Sequence, residues 1–334
     1  MRTRILIPAI ALIGTSAALA QPGGRSAPPP PCVAGEGFVC GQQGPEDLVG
    51  LGPDWAVASA YEGTGGVLLV RVRDRGSFTV YPSDSAVERL DAETYPECPG
   101  PPRGRFTTHG VYVEPGGGPV HKLFVVGHGD RESIEVFEVD TRAATPAVTW
   151  TGCVIAPDPI GLNSVRGLPD GGFLTTNFLP RGQPMGQLMN GDPNGELWEW
   201  HTATGWVELP GSEASGANGV ELSDDGETVY VAAWGSQSFI RLSRGAEPPV
   251  REEIDLGFRI DNIHFARDGR LLGAGQAGEA WRVVKIDPDS LEVELVVEMP
   301  NQPGFANGTV ALEVGDDLWI GTFRGDRIAI VPAP

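Results

Sequence analysis

The sequence predicts an all-β fold, a six-bladed β-propeller with four-stranded blades around a central tunnel. Its clearest repeat runs from Gly216 to Leu242, where Asn218-Gly219 opens an apolar strand and Asp225-Gly226 turns the chain into a second strand. Six such repeats begin near residues 46, 109, 163, 218, 262 and 307. A spacing of about 45 to 60 residues is the period of a four-stranded blade with insertions. The 47 glycines and 30 prolines suit many short strands and tight turns.

The repeats share one order of parts: a leading polar residue, an apolar strand, a Gly/Asp turn and a returning strand. The other leading segments are Glu46-Asp47-Leu48, His109-Gly110-Val111, Asn163-Ser164-Val165, Asp261-Asn262-Ile263 and Asn307-Gly308-Thr309. Asn-Gly is a common turn dipeptide, so the simplest explanation for any single leading residue, or repeat head, is that it shapes a loop. In several repeats, however, an Asp-Gly pair such as Asp268-Gly269 already makes the turn. Because the repeat heads occupy the same position in each repeat, this common phase favours a shared role for them.

The N-terminal 20 residues indicate a secretory signal peptide, with a basic head, the apolar run ILIPAIALIG and small residues up to Ala20. The apolar run is too short for a membrane span, and no other stretch approaches that length. We therefore expect a secreted or periplasmic protein with no membrane span. Residues 21–40 form a Pro/Gly-rich leader whose first part, QPGGRSAPPPP, is expected to be disordered. Residues 41–334 are expected to form the propeller, as one domain.

The charge balance limits the classes of partner. The chain has 24 basic and 44 acidic residues, a formal net charge of -20. This excess repels nucleic acid and anionic membranes and raises the local concentration of cations, although solubility alone explains most of the acids. We expect a monomer with no nucleic-acid partner. Motif spacings of the CxxC, HExxH, GxSxG and P-loop types do not occur, which removes several enzyme classes.

The four cysteines all lie in the first half of the chain. An oxidising compartment favours disulfides over thiols, and four cysteines allow three pairings. We expect Cys32 to pair with Cys40 and Cys98 with Cys153, because the first two share a short segment before the first blade. None lies at a repeat head, so a catalytic cysteine is not expected.

The repeat heads are the candidates for a functional site, because equivalent positions of the blades converge on the central channel. These residues are Glu46, His109, Asn163, Asn218, Asp261 with Asn262, and Asn307. Carboxylates and amide carbonyls form a hard, all-oxygen set of the kind that Ca²⁺ accepts, whereas Zn²⁺ prefers His and Cys. The sequence therefore predicts a Ca²⁺ site in the tunnel.

Several segments, taken in order, resemble the paraoxonase/arylesterase family and, more distantly, the regucalcin/gluconolactonase group. They are THGVYVE, LFVVGHGDRESIEVFEVD, LNSV, ANGVELSDDGETVYVA, DNIHF and NGTVALEVGDDLWIGT. The likeness covers nearly the whole chain after Gly44. It implies a six-bladed propeller with a catalytic Ca²⁺ in the tunnel, and a calcium-dependent carboxylic ester hydrolase that acts on lactones and, less selectively, on aryl esters and phosphotriesters.

Residue by residue, the resemblance assigns both ligands and a catalytic pair. The segments GPEDL, GLNSV, GANGV and DNI imply the calcium ligands Glu46, Asn163, Asn218, Asp261 and Asn262. The segments THG and VVGH imply His109 and His128 as a histidine dyad, which would not stand out otherwise, since an isolated His is more often an ordinary polar residue. The implied reaction is water attack assisted by the metal, with His109 as general base oriented by His128.

One departure and two alternatives remain. In the family, a second calcium site resembles one built from Asp47 and an acid directly after the Asn of GLNSV. Here that position is Ser164, so we expect one tight calcium. Ser164→Asp should create the second site if the geometry is otherwise that of the family. One alternative is a gluconolactonase-like sugar lactonase in which a carboxylate such as Asp261 activates water. The other is a non-enzymatic propeller in which calcium locks the blades and the top face binds a partner. The substrate is not specified, because loops such as 177–193 form the pocket walls.

Overall fold

Six sheets follow one another along the chain and surround a tunnel in the computed structural model, which describes residues 30–35 and 37–333. This confirms the predicted all-β six-bladed propeller. The predicted signal peptide, residues 1–20, and the leader up to residue 29 lie outside the described residues. No helix in the described part of the chain has the length and apolar character needed to cross a membrane.

Each blade is built from consecutive antiparallel strands. After the short strand β1 (Phe38–Cys40), blade 1 contains β2 (Leu48–Leu51), β3 (Trp55–Ala58), β4 (Val67–Arg71) and β5 (Gly76–Tyr81). Blade 2 contains β6 (Val87–Glu88), β7 (Phe106–Glu114), β8 (Val120–Gly129), β9 (Ser133–Asp140) and β10 (Ala147–Ile155). Blade 3 contains β11 (Leu162–Gly167), β12 (Phe173–Asn177), the helix α1 (Gly186–Met189), β13 (Glu196–His201) and β14 (Gly205–Glu208). Blade 4 contains β15 (Ala217–Leu222), β16 (Thr228–Ala233), β17 (Ser238–Ser243) and β18 (Arg251–Asp255). Blade 5 contains β19 (Arg259–Phe265), β20 (Leu271–Ala277), β21 (Ala280–Ile286) and β22 (Val293–Pro300). Blade 6 contains β23 (Gly308–Val314), β24 (Asp317–Thr322) and β25 (Arg327–Pro332).

The first long strand of each blade lines the tunnel. Neighbouring inner strands contact one another in a closed ring, in the order β2, β7, β11, β15, β19 and β23. The next strands, such as β3 and β16, are almost wholly buried because adjacent blades pack on both of their faces. The outer strand β22 is largely exposed, and its acidic residues Glu294 and Glu298 lie among apolar ones. Blade 2 has a fifth strand, since β6 pairs in parallel with β10.

The ring is closed by strand β1, which pairs antiparallel with β25 and completes the sixth blade. Residues 38–40 therefore belong to the propeller, although the sequence predicts them as the end of the leader. The composition argument for disorder concerns the Pro-rich part before them, whereas Val39 is fully buried. Because both ends of the chain share one sheet, the propeller has no open seam between its first and last blades.

Both expected disulfides form, Cys32 with Cys40 and Cys98 with Cys153. The first ties down the strand that closes the ring. The second joins the segment before β7 to β10, and its sequence separation of 55 against 8 predicts the larger restriction of the unfolded chain. Two disulfides are typical of proteins from oxidising compartments.

Candidate metal centre and histidine relay

The predicted heads lie in β-bulges of the inner strands. The pairing register shifts between Thr108 and Val111, Leu162 and Val165, Ala217 and Val220, Ile260 and Ile263, and Gly308 and Val310. A bulge takes residues out of the ladder and re-aims their side chains. The first four shifts contain His109, Asn163, Asn218, Asp261 and Asn262, and Glu46 reaches the same region from the segment just before β2.

The glycines after two of these heads allow neighbouring blades to approach closely. A Cβ on Gly110 would lie 2.6 Å from the carbonyl oxygen of Asn163, and one on Gly219 would lie 2.7 Å from that of Asp261. Both contacts are too short for any side chain. The Asn218-Gly219 pair is thus part of the tunnel lining, while Gly226, at φ +75°, makes the turn of that repeat.

Asn307 has a different role from the other heads. It adopts a left-handed backbone conformation, φ +55°, and its N–H donates to Asn301 Oδ1 at 2.9 Å. This is the loop-shaping role that an Asn-Gly pair commonly has. The neighbouring Thr309 instead serves the tunnel, because its hydroxyl donates to the carbonyl oxygen of Glu46 at 2.6 Å.

Four of the five predicted metal ligands carry a buried side-chain oxygen with no hydrogen-bond partner among the described residues. These atoms are Glu46 Oε2, Asn163 Oδ1, Asn218 Oδ1 and Asn262 Oδ1. Each such acceptor costs about 1–3 kcal/mol if left alone, so native proteins rarely keep several together. An all-oxygen set of this kind fits a hard cation. Among the described residues, no three His, Cys, Asp or Glu side chains lie together in a way that could hold a metal. The five predicted ligands do not form such a cluster, because three of them are asparagines.

Hydrogen bonds from side chains of blade 5 orient the two carboxylates. Asn262 Nδ2 donates to Glu46 Oε1 at 2.8 Å, which leaves Asn262 Oδ1 as the free atom of that amide. Gln276 Nε2 donates to Asp261 Oδ2 at 2.6 Å. The indole of Trp234 donates in turn to Gln276 Oε1 at 2.6 Å, so an aromatic wall residue is connected to the predicted ligand Asp261.

The site contains two buried carboxyl groups, Glu46 and Asp261, and no Arg or Lys side chain of the described residues pairs with them. Burial, and then the charge of Asp47, raise the pKa of Glu46 to about 8. Burial, and then the charge of Glu46, raise the pKa of Asp261 well above its usual range. His109 Nε2 lies 3.4 Å from Glu46 Oε2, but burial lowers the His109 pKa to about 4, so this ring is neutral near pH 7. A bound cation would favour the ionised form of both buried carboxyl groups, so the pair attracts a cation strongly.

The two predicted histidines form a hydrogen-bonded pair, and a glutamate extends it. His109 Nδ1 lies 3.0 Å from His128 Nε2, and His128 Nδ1 lies 2.9 Å from Glu132 Oε2. On its other side, His109 Nε2 faces Asn163 Nδ2 at 3.4 Å as well as Glu46. Glu132 is a functional candidate that the sequence reasoning missed; its only signal is an acid four residues after His128, across a tight turn.

A cavity of about 320 Å³ opens over this site. Six of the seven predicted site residues line it, and Asn262 lies behind Glu46. Its remaining walls are largely apolar and aromatic, contributed by Tyr61, Phe178, Leu179, Met185, Trp234 and Phe323. Three of these come from the predicted loop 177–193, which joins β12 to β13 within blade 3 and does not connect two blades.

Asp47 lies deeper in the tunnel and has protein partners for both oxygens. Oδ1 accepts from the Leu48 N–H at 2.8 Å and lies 2.7 Å from His264 Nε2, and Oδ2 accepts from the Val111 N–H at 2.8 Å. His264 Nδ1 lies 3.2 Å from Glu221 Oε1. Burial opposes the charge of His264, but Asp47 and Glu221 outweigh it and raise the His264 pKa to about 10. An imidazolium therefore bridges two carboxylates here.

Comparisons with known proteins support the fold. No family model and no curated protein matches the chain. Similar solved structures include a luciferin-regenerating enzyme, with 13% identity, TM-score 0.54 and coverage of 89% of this chain and 92% of that one. A proposed gluconolactonase has 14% identity, TM-score 0.53 and coverage of 88% and 90%. A virginiamycin B lyase from Staphylococcus aureus has 10% identity, TM-score 0.54 and coverage of 89% and 98%. Identities this low show a shared fold, which hosts different chemistries.

Proposed function

We propose that this protein is a secreted or periplasmic calcium-dependent hydrolase of lactones or aryl esters. The observation that carries the proposal is the group of four unpartnered buried oxygens beside a hydrogen-bonded histidine pair, at the base of an apolar cavity. The signal-like N-terminus and the two disulfides support an oxidising compartment.

The ligands would be Glu46, Asn163, Asn218, Asp261 and Asn262. A bound Ca²⁺ would supply Lewis-acid polarisation of the ester carbonyl and stabilisation of negative charge on its oxygen. His109 accepts the proton of the attacking water at Nε2, the ring atom that faces the ligand residues. The positive charge on His109 is shared with His128 through the 3.0 Å contact and stabilised by Glu132 beyond it.

Three features favour this function over the alternatives. Phe178 and Trp234, which pack edge to face with ring centroids 5.7 Å apart, line the cavity and suit a substrate with an apolar portion better than a polyhydroxylated sugar. Asp261 accepts a hydrogen bond from Gln276 and lies beside Glu46, which suits a ligand better than a mobile base. A non-enzymatic propeller would need only the calcium ligands, without a buried His109–His128 pair.

The direct test is a screen of aliphatic lactones, a sugar lactone and phenyl esters with and without a calcium chelator. We expect turnover of the apolar lactones or phenyl esters, its loss with chelator, and its recovery when Ca²⁺ is added back, because the polarising charge is then restored. Turnover that survives complete chelation would contradict the metal-assisted mechanism. A calcium-loaded protein that hydrolyses none of these compounds would favour the non-enzymatic alternative.

Calcium binding should release protons and strengthen as pH rises. Below a Glu46 pKa of about 8 the carboxyl holds a proton that the cation must displace, so affinity should increase up to about tenfold per pH unit for each proton released. Calorimetric titrations between about pH 6 and pH 9, in buffers of different ionisation enthalpy, measure both quantities. Glu46→Gln removes one of the two competing protons, the other being that of Asp261, and should make the dependence shallower. An affinity that is constant over this range in the parent protein would contradict the linkage.

The protein should hold one tight calcium. Both oxygens of Asp47 already have partners, and His264 supplies positive charge at that position. For the same reason Ser164→Asp alone should not create a second site, contrary to the simple expectation from the family pattern. Native mass spectrometry after mild desalting measures the stoichiometry. A predominant species with two calcium ions would contradict the prediction.

A further inference from the structure

Glu132 is the end of the histidine relay, and both of its side-chain oxygens are used. It lies in the hairpin between β8 and β9, with a side chain only 11% exposed. Oε2 is 2.9 Å from His128 Nδ1, and Oε1 accepts the N–H of Leu162 at 2.7 Å. Leu162 belongs to the inner strand of the next blade and directly precedes the ligand Asn163. One carboxylate therefore touches both the relay and the strand that carries a metal ligand.

The chemistry of this carboxylate determines where the ring protons lie. An ionised carboxylate only accepts hydrogen bonds, so His128 must carry its proton on Nδ1. A neutral imidazole has one N–H, which makes His128 Nε2 an acceptor for His109 Nδ1–H. His109 Nε2 is then left with a free lone pair. That atom is the one 3.4 Å from both Glu46 Oε2 and Asn163 Nδ2, at the metal centre.

The opposite arrangement would disable the base. If His128 carried its proton on Nε2, it would donate to His109 Nδ1, and the proton of His109 would move to Nε2. The atom facing the site would then be an N–H donor with no lone pair to accept a proton from water. Among the described residues, Glu132 is the group that contacts His128 Nδ1, and it favours the first of these two states, whereas Glu46 Oε2, 3.4 Å from His109 Nε2, favours the second when it is ionised.

We propose that Glu132 is a positioning residue that sets the tautomers of His128 and His109 and ties the relay to the strand bearing Asn163. The inference rests on the proposed hydrolase function for its effect on turnover, although the tautomers themselves do not. A general base held in the wrong tautomer loses about as much activity as one that is removed, about 10²- to 10⁴-fold.

The test uses the full chain labelled with ¹⁵N-histidine, comparing the parent with Glu132→Gln. Nitrogen–proton correlation spectra of the imidazoles report which ring nitrogen carries the proton. We expect Nδ1–H on both His109 and His128 in the parent. In Glu132→Gln the amide oxygen can still accept from Leu162, while its NH₂ group donates to His128 Nδ1, so both rings should switch to Nε2–H. Glu138→Gln, an exposed acid on β9, is the matched control and should keep the parent tautomers.

Kinetics separate positioning from a general structural effect. With an ester that the parent hydrolyses, Glu132→Gln should lower kcat by about 10²- to 10⁴-fold, because a base in the wrong tautomer is lost to catalysis, while KM and calcium affinity change less than about twofold. A parent spectrum with Nε2–H on either histidine would overturn the proposal without any variant. Unchanged tautomers in a folded Glu132→Gln protein would overturn it as well. If the parent hydrolyses no ester, a tautomer switch in Glu132→Gln still supports the positioning role and contradicts only the hydrolase function.

Discussion

Asp261→Ala is expected to abolish tight calcium binding and, with it, ester hydrolysis. Asp261 is one of two carboxylates in a set whose other three members are neutral amides, so its removal halves the formal charge of the ligands. Calcium affinity follows ligand charge and site rigidity over several orders of magnitude. We therefore expect a loss of at least about 10²-fold in affinity, measured by calorimetric titration, and a matching loss of turnover at limiting calcium.

The matched control is Asp170→Ala, which removes the same charge from an exposed hairpin turn. The Asp170 side chain is 61% exposed and lies in the turn between β11 and β12, away from the tunnel-side bulges. This control should bind calcium and hydrolyse esters as the parent does. A folded Asp261→Ala protein with the parent's calcium affinity would defeat the ligand assignment. Thermal unfolding of both metal-free variants verifies that neither change disrupts the propeller.

Local sequence signals were sufficient for most of the fold. Alternating apolar strands and Asp-Gly turns such as Asp225-Gly226 recur at a blade-sized period, and these signals act over a few residues. Ring closure by β1 was missed because it depends on a pairing between opposite ends of the chain.

The residues of the site also differ in whether sequence signals predict them. Residues in a common phase of the repeats, such as Asn163 and Asn218, were predictable because the propeller symmetry brings equivalent positions together. Glu132 and Gln276 were not, because they act through side-chain hydrogen bonds to other residues of the site, and no repeat pattern encodes such contacts. Asn307 heads its repeat in the sequence, but it lies just before the register shift that begins at Gly308 and shapes a loop, so a place at the head of a repeat does not by itself assign a ligand.

The partner of Asp47 also had a signal that went unused. Asn262 and His264 are two residues apart on β19, so both side chains lie on the tunnel side of that strand. Two backbone N–H groups also donate to Asp47. His264 was not anticipated, because the resemblance directs attention to the position of Ser164 and not to the opposite blade.

His109→Gln is expected to lower turnover by about 10²- to 10⁴-fold, the range typical for loss of a general base. The glutamine side chain is polar and of similar reach, so the cavity wall is largely preserved. Calcium affinity should change little, because the proposed ligands are the oxygens of neighbouring residues and His109 contacts them only at 3.4 Å. Steady-state kinetics at saturating calcium, together with a calcium titration, measure the two effects separately.

The control for this variant is His121→Gln, seven residues earlier on the same strand as His128. His121 accepts a hydrogen bond from the Gly116 N–H at 3.2 Å in an exposed hairpin and has no contact with the relay, so its replacement should leave kcat unchanged. A selective loss of kcat in His109→Gln, with calcium still bound, would separate the base from the metal ligands. Undiminished turnover in that variant would instead move the base to a carboxylate, and Asp261 would then have to give up its hydrogen bond from Gln276 or its place among the ligands to accept the proton.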